Sequence, residues 1–211
     1  MDRSSVVLPE GQILKRANDL RTTLDRPVVV AIDGGSGAGK TTLAAKLMSR
    51  ANMALITLDD FYQTCIPEAD WPHKTVEERL NGVFDWDRVR STALEPLRSG
   101  KPGEWQAFDF VKGLNDRGTY DIGDEVTKVD PAPLILIEGA YSTSPHLRNL
   151  VDLTVLVSVP SQIRHDRAAQ RERDSEDFLD SWHSIWGEVE SLYFAQVCPP
   201  DSFDIVVPNW C

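Results

Sequence analysis

The chain has 211 residues, of which 41% are hydrophobic and 26% charged, an ordinary composition for a single α/β enzyme domain. Its 33 acidic and 22 basic residues give a net charge of −11, which argues against a nucleic-acid-binding surface because phosphate backbones select clustered Lys and Arg. No apolar run is long enough for a membrane span or a signal-peptide core, so we expect a cytoplasmic protein without a membrane partner.

In chain order, apolar strands alternate with helices. Short runs rich in branched apolar residues predict strands at 28–32, 53–58, 133–139, 153–159 and 203–207. Helical patterns predict helices at 9–25, 42–48, 75–82, 87–99 and, in two pieces, from 161 to about 196. Pro96 falls inside the fourth of these, so a kink or an earlier stop stays open. Five strands separated by helices predict a three-layer α/β fold with a doubly wound parallel sheet, in one domain spanning 1–211.

The segment 63–131 interrupts this alternation. It is polar at first and glycine-rich later, with no sustained apolar period beyond two short helices. We interpret it as an insertion that extends from the core and carries a β-hairpin of 105–110 and 124–129.

A glycine-rich loop joins the first strand to the second helix. Residues 34–41 match G-x-x-x-x-G-K-[ST] at every fixed position, in the strand–loop–helix context that this phosphate-binding motif (the P-loop) requires. We predict nucleotide contacts from Gly34, Gly35, Ser36, Gly37, Ala38, Gly39, Lys40, Thr41 and Thr42. Lys40 is expected to reach the β- and γ-phosphates as a catalytic residue, and the Thr41 hydroxyl to ligate Mg²⁺. A chance glycine-rich turn is the alternative.

Acidic residues follow two of the predicted strands. Asp59 and Asp60 end the second strand, and Glu138 ends the third core strand. Open parallel sheets bind ligands at the carboxyl ends of their strands, so these acids are expected to converge on the phosphate loop. Phosphoryl transfer to a hydroxyl needs a carboxylate beside the acceptor and acids around Mg²⁺. Asp59 and Glu138 fit these two roles, whereas an N-cap or solvent-facing role stays open for Asp60.

Arginines are concentrated at the start of the last long helical segment. Arg164, Arg167 and Arg171 are spaced i, i+3, i+7 and share one helix face. Guanidinium groups match phosphate oxygens, so we predict a small lid at about 161–176 that closes over the phosphates of ATP. A solvated helix face, paired with neighbouring acids, is the alternative.

The order of the motifs resembles that of one enzyme family. GGSGAGKTT, LDDFY, FDWDRV, FDF, LILIEG, R-x-x-R-x-x-x-R-x-R-D and FDIVVPN are similar to the motifs of the uridine kinase and phosphoribulokinase group of P-loop kinases, from Val28 to Asn209. The resemblance implies a P-loop NTPase fold and ATP- and Mg²⁺-dependent phosphorylation of a hydroxyl on a small metabolite. It implies that Asp59 is the catalytic base and that Glu138 assists the metal. It also implies that the arginine cluster closes over ATP.

The same resemblance points to substrate contacts. Asp85, in the F-D motif, corresponds to an Asp that contacts ribose hydroxyls. The further substrate-binding residues predicted are Asp60, Tyr62, Phe108 and Asp109. Uridine kinases also carry a His shortly after the second F-D motif that helps to read the pyrimidine, whereas this chain continues with Val111-Lys112-Gly113. The resemblance therefore supports the type of reaction more strongly than the identity of the acceptor.

Several acceptors and functions stay open at this stage. Retention of Asp85 favours a nucleoside-like acceptor such as uridine or cytidine, and pantothenate, a sugar or glycerate are the alternatives within the same fold. A regulatory or motor-type P-loop ATPase is the alternative from another class. Trp71, Trp86 and Trp105 lie near the expected acceptor pocket, where stacking on a substrate and packing are both open. A preference for ATP over GTP and a homo-oligomeric state both stay open.

Overall fold

The computed structural model describes residues 8–164, 167 and 185–208. Its strands are β1 (Val28–Asp33), β2 (Met53–Thr57), β3 (Gly103–Phe108), β4 (Ile122–Val129), β5 (Leu134–Glu138), β6 (Leu153–Ser158) and β7 (Ile205–Pro208). Five of them form a parallel sheet in the order β2-β5-β1-β6-β7, and β3 and β4 form an antiparallel hairpin. The predicted α/β fold, its core strands and its hairpin are confirmed.

The helices follow the predicted segments closely. They are α1 (Pro9–Arg21), α2 (Lys40–Met48), α3 (Val76–Gly82), α4 (Trp86–Arg88) and α5 (Glu95–Arg98). A π-helical segment, Val89–Leu94, joins α4 to α5. Pro96 lies in the first turn of α5, and proline has no N–H for the usual helical bond to the carbonyl of Thr92. The helix therefore does not stop before the proline but changes its winding there.

Side chains of β1 alternate between the two faces of the sheet. Val28, Val30 and Ile32 pack in the cluster that includes residues of α1 and α2, whereas Val29 and Ala31 belong to the cluster on the other face. All five are fully buried. Both faces are thus covered, which makes the sheet the middle of three layers and explains the uninterrupted apolar run of this strand.

The strand order brings separate parts of the sequence to one edge of the sheet. β5 lies between β1 and β2, and Glu138 is in register with Ile32 on one side and Thr57 on the other. A 3₁₀ turn, Leu58–Phe61, follows β2 and carries Asp59. The glycine loop begins where β1 ends. The acids and the loop therefore meet at the carboxyl ends of the strands.

The hairpin packs on the core through Trp105. The indole N–H of Trp105 donates to Asp60 Oδ2 at 2.8 Å, and its ring lies 5.4 Å from that of Phe61. After β3 the chain continues with apolar side chains that are exposed to solvent, 60% for Phe110 and 95% for Val111. The base of the hairpin is thus anchored, while its far end presents apolar side chains to solvent.

The predicted lid lies largely outside the described residues. The structure describes helical residues at 161–164 and 167, and again from 185 to 192, where a π-helical segment, Tyr193–Val197, continues the chain. Arg171 and most of 161–176 are not among them. Within the part of the chain that is described, no helix combines the length and apolarity of a membrane span.

Candidate active site

Two glycines of the loop are required by its backbone path. Gly34 has φ 149° and Gly37 φ 76°. An added Cβ would lie 2.6 Å from the carbonyl oxygen of Val157 at Gly34 and of Arg164 at Gly37. α2 begins directly after the loop at Lys40, without a side-chain cap. Its first N–H groups therefore point towards the loop interior, where an anion is favoured.

Lys40 is tied to the loop that precedes it. Its Nζ donates to the carbonyl oxygens of Gly34 at 2.9 Å and Gly35 at 3.1 Å. Burial lowers the pKa of Lys40, and nearby carboxylates, of which Asp59 has the largest effect, oppose that shift. The ammonium is thus held over the loop by neutral carbonyl groups, which phosphate oxygens can replace.

A buried carboxylate that sequence analysis missed organises the site. Asp33, at the end of β1, is fully buried and accepts backbone N–H bonds from Gly34 at 2.7 Å, Tyr141 at 2.8 Å and Thr143 at 3.0 Å. It also accepts bonds from the hydroxyls of Thr143 and Tyr193 at 2.6 and 2.7 Å. Burial raises the pKa of Asp33, and these hydrogen bonds oppose the shift. The available signal was an acid placed directly between a fully apolar strand and the glycine loop.

The segment 139–143 after β5 is held in an unusual conformation. Tyr141 has φ 67°, the one positive φ of a non-glycine residue in the described chain. Such backbone costs on the order of 1 kcal/mol and is concentrated at functional sites. The bond to Asp33 fixes its N–H, and its ring packs edge-on against Tyr193 at 4.8 Å. Tyr141 thereby becomes a fixed wall of the cavity beside the loop.

Asp59 lines the same cavity as Lys40. The Tyr62 hydroxyl donates a hydrogen bond to its carboxylate. Burial raises the pKa of Asp59, whereas the Lys40 ammonium and the Tyr62 hydroxyl lower it. A carboxylate whose pKa is raised holds a proton more strongly near neutral pH, which suits it to act as a general base.

Thr41 and Glu138 form the second polar group beside the loop. The Thr41 hydroxyl lies 3.3 and 3.4 Å from the two carboxylate oxygens of Glu138. Burial raises the pKa of Glu138, and Lys40 opposes the shift. Within the described chain, no cluster of three or more His, Cys, Asp or Glu could hold a metal by itself. A hydroxyl beside few carboxylates fits Mg²⁺, which retains waters and completes its shell with substrate phosphates.

A glutamate from the C-terminal helix also reaches the loop. Glu190 Oε2 accepts a 3.1 Å hydrogen bond from the N–H of Ser36, and Oε1 pairs with the Arg164 guanidinium. Arg164 donates to the carbonyl of Ser36 at 3.1 Å, and Arg167 to that of Gly37 at 3.4 Å. The loop N–H thus binds an anion supplied by the protein itself. Nothing in the sequence marks Glu190, because it lies far along the chain from the loop.

Two cavities adjoin each other, and the first of them lies at the loop. The first, which we call the phosphate cavity, is lined by Ser36, Lys40, Asp59, Tyr141, Arg164 and Glu190, among others. The second, the aromatic cavity, is lined mainly by rings from the insertion and shares Tyr62, Val83 and Trp186 with the first. A molecule in the aromatic cavity would therefore have Asp59 and the loop at one end.

The predicted acceptor residues are divided between the aromatic cavity and other contacts. Tyr62 and Phe108 line the cavity, and so does Trp71. Trp86 instead stacks on His146 at 4.9 Å and packs in the core. Of the three tryptophans that the sequence placed near the acceptor pocket, Trp71 is thus the one that lines this cavity.

Three predicted acceptor carboxylates have local partners in the structure. Asp60 accepts the Trp105 indole N–H. Asp85 caps α4 by accepting the N–H of Arg88 at 3.1 Å and pairs with the Arg88 guanidinium at 3.5 Å. Asp109 accepts two backbone N–H groups of the turn that follows it. None of the three is among the residues that line the two described cavities.

Comparison with known proteins gives consistent similarities. The model of the phosphoribulokinase / uridine kinase family matches residues 29–185. A uridine kinase of Streptococcus pyogenes serotype M5 (strain Manfredo) is 26% identical over 201 residues, which cover 88% of this chain and 89% of that protein.

Two solved structures share the fold. A possible uridine kinase from Bacillus stearothermophilus has a TM-score of 0.61 at 18% identity, covering 92% of this chain and 98% of that one. D-glycerate 3-kinase from Cryptococcus neoformans var. grubii serotype A has a TM-score of 0.57 at 17% identity, covering 92% and 86%. At such identities the likeness concerns the fold and leaves the acceptor undecided.

Proposed function

Because the chain belongs to the phosphoribulokinase / uridine kinase family, we propose that it transfers the γ-phosphoryl group of ATP to a hydroxyl of a small metabolite. The observation that carries this proposal is the phosphate cavity, in which Ser36 of the loop, Lys40 and Asp59 line one space. A phosphate cradle and a carboxylate with a raised pKa are the two groups that such a transfer requires.

In the proposed reaction Asp59 orients the acceptor hydroxyl and takes its proton. The acceptor oxygen bonds to the γ-phosphorus as the bond from that phosphorus to the bridging oxygen of ADP breaks. Lys40 neutralises phosphate charge through its ammonium, and Arg164 exchanges the Glu190 carboxylate for a phosphate oxygen. Tyr141 and the residues around it exclude water, which limits hydrolysis of ATP.

Thr41, Glu138 and Asp59 are the proposed Mg²⁺ ligands. The Thr41–Glu138 contact supports this assignment, because a hydroxyl and a carboxylate already lie side by side next to the loop. Bound Mg²⁺ would offset the negative charge of the phosphates.

A nucleoside-like acceptor is the first proposal, with Asp60, Tyr62, Asp85, Phe108 and Asp109 as its predicted contacts. Asp85 contacts the Arg88 guanidinium at 3.5 Å, and its side chain is 40% exposed. Pantothenate, a sugar or glycerate are the alternative acceptors. A regulatory or motor-type ATPase is the rival from another class, and the neighbouring aromatic cavity argues against it, since hydrolysis alone needs no acceptor site.

An acceptor panel tests this function. We expect ADP release to depend strongly on one class among nucleosides, pantothenate, sugars and glycerate, because Asp59 needs a positioned hydroxyl. A coupled ADP assay over the panel measures this dependence, and mass spectrometry identifies the phosphorylated product. ADP release that is equal with every compound and with none would support the ATPase instead.

Glu190→Gln is expected to tighten nucleotide binding. In the wild-type chain the Glu190 carboxylate occupies the Ser36 N–H and the Arg164 guanidinium, so an incoming phosphate must first displace it. Removing the charge should lower the Kd for ATP by about tenfold, the equivalent of one charge-assisted contact. Titration calorimetry measures the change. Glu188→Gln is the matched control, since Glu188 lies on the same helix but pairs with Arg79; equal or weaker ATP binding by the Glu190 variant would contradict the prediction.

A further inference from the structure

Among the described residues that line the aromatic cavity, one is charged and six are aromatic. Its rings come from Tyr62, Trp71, Phe108, Phe110, Tyr120 and Trp186. They lie close to one another, with centroids 4.6 Å apart for Phe108 and Phe110 and 5.1 Å apart for Trp71 and Trp186. The charged residue is Glu68, which the kinase mechanism does not use.

Glu68 has no cationic partner in the described part of the chain. Its carboxylate takes part in none of the hydrogen bonds or ion pairs found there, and none of the described residues that line the cavity is Lys, Arg or His. Burial alone raises the pKa of Glu68, without an opposing charge or hydrogen bond. Tyr120 lines the same cavity, and burial raises the pKa of its hydroxyl, to which the Glu68 carboxylate adds. A half-buried carboxylate in this setting is stabilised by a cation that enters the cavity.

We propose that the acceptor carries a cationic group, quaternary or delocalised, which binds among the rings of the aromatic cavity beside Glu68. This inference rests on the kinase function proposed above and adds the charge of its acceptor. The faces of aromatic rings attract cations, and rings combined with an acid form the usual site for ammonium groups that cannot be satisfied by hydrogen bonds alone.

The placement of the cavity links this cation to the chemistry. Tyr62 contributes a ring to the aromatic cavity and donates its hydroxyl to Asp59, so a compound with its cation among the rings can present a hydroxyl to the base. Phe110 is 60% exposed although its ring lies 5.7 Å from that of Tyr62, and a bound acceptor would cover it. Carboxylate acceptors such as pantothenate and glycerate are disfavoured, because Glu68 would repel them and none of the described lining residues carries a positive charge. Among nucleosides and sugars, those with a positive charge are selected.

Two matched pairs of probes test the charge directly. 3-Methylcytidine has a cationic base at neutral pH, and 3-methyluridine is its neutral counterpart. Choline and 3,3-dimethyl-1-butanol form a second pair, in which carbon replaces the quaternary nitrogen. Comparison of the two pairs shows whether the cavity prefers a planar aromatic cation or an alkylammonium group. Binding is measured without ATP from the change in intrinsic tryptophan fluorescence, to which Trp71 and Trp186 of the cavity contribute, and turnover by ADP release. We expect the cation of at least one pair to bind about tenfold or more tightly than its neutral partner.

Glu68→Gln should remove this preference while leaving the KM for ATP unchanged, because Glu68 does not line the phosphate cavity. Glu77→Gln, at an exposed position in the first turn of α3, is the matched control and should keep the preference. Phe110→Leu is a second variant at an exposed position, so it tests the rings even if the Glu68 variant is unstable. It should weaken binding of the cation more than that of the neutral partner.

Binding and turnover separate the two proposals. Cation-selective binding without any phosphorylated product would support the cavity assignment and count against the kinase assignment. Turnover of neutral or anionic acceptors, with no cation preference in either pair, would overturn the cationic acceptor and leave the kinase in place. A Glu68→Gln protein that keeps the full cation preference would also overturn it, as would a wild-type chain that binds none of the four probes.

Discussion

Lys40→Ala is expected to lower phosphoryl transfer to near background and to weaken ATP binding. The Lys40 ammonium is held over the loop by the carbonyls of Gly34 and Gly35 and lies next to the Asp59 carboxylate, so its removal takes the positive charge out of the phosphate cavity. Loss of one preorganised charge of this kind costs about a hundredfold to a thousandfold in turnover. It also removes one of the two groups that lower the pKa of Asp59, the other being the Tyr62 hydroxyl.

The Lys40 prediction can be checked before the acceptor is known. Calorimetry with ATP reports the loss of binding, and the ADP assay reports turnover once the panel has given an acceptor. Lys46→Ala is the matched control, because Lys46 lies on the same helix, is largely exposed and makes one long ion pair of 3.9 Å with Glu10. Full activity of the Lys40 variant would mean that the loop does not hold the reacting phosphates.

The core of the fold could be predicted because its signals are local. Each parallel strand buried on both faces is a continuous apolar run. At 28–32 the strand follows this run and extends one residue beyond it, to Asp33. The loop at 34–41 fixes the neighbouring strand and helix through its pattern alone. The location of Asp59 and Glu138 at the site could be predicted because open parallel sheets bind ligands at the carboxyl ends of their strands. The register of Glu138 beside Thr57, at the end of β2, agrees with this prediction.

The groups that sequence analysis missed depend on contacts between distant segments. Asp33 accepts bonds from residues more than a hundred positions away, Tyr141 and Tyr193, and Glu190 reaches the N–H of Ser36 from the C-terminal helix. No periodicity or short motif encodes such pairs. Asp33 is the partial exception, because a carboxylate at the end of a buried strand must find donors.

On the acceptor side, local hydrogen bonding competes with the predicted roles. Asp60, Asp85 and Asp109 each have a donor within a few ångströms, and two of these carboxylates bond to the backbone of their own segment. Short acidic side chains commonly cap helices and close turns in this way, and a motif match does not distinguish that use from substrate binding. The aromatic cavity is formed by residues that lie far apart in the chain, among them Trp71, Phe108 of β3 and Trp186 of the C-terminal helix, so no single segment of the sequence indicates it.

Asp59→Asn is expected to lower turnover by about a hundredfold or more while ATP still binds, because the amide keeps the shape of the side chain but cannot take a proton. The phosphate loop and Lys40 do not depend on Asp59 for their hydrogen bonds. Calorimetry for ATP and the ADP assay with the identified acceptor measure the two quantities separately. Asp25→Asn, at an exposed position remote from the site, is the control. Unchanged turnover in the Asp59 variant would remove it as the base.

The pH dependence tests the same assignment through the environment of Asp59. The base must be ionised, so kcat/KM should fall as the pH falls through the pKa of Asp59. Burial raises that pKa, which places the acid limb above the range of an ordinary aspartate. The Tyr62 hydroxyl bond lowers the pKa, so Tyr62→Phe should move the limb to higher pH, and Asp59→Asn should eliminate it. A limb that stays in place in the Tyr62 variant would belong to a different group, such as Glu138, whose pKa burial also raises.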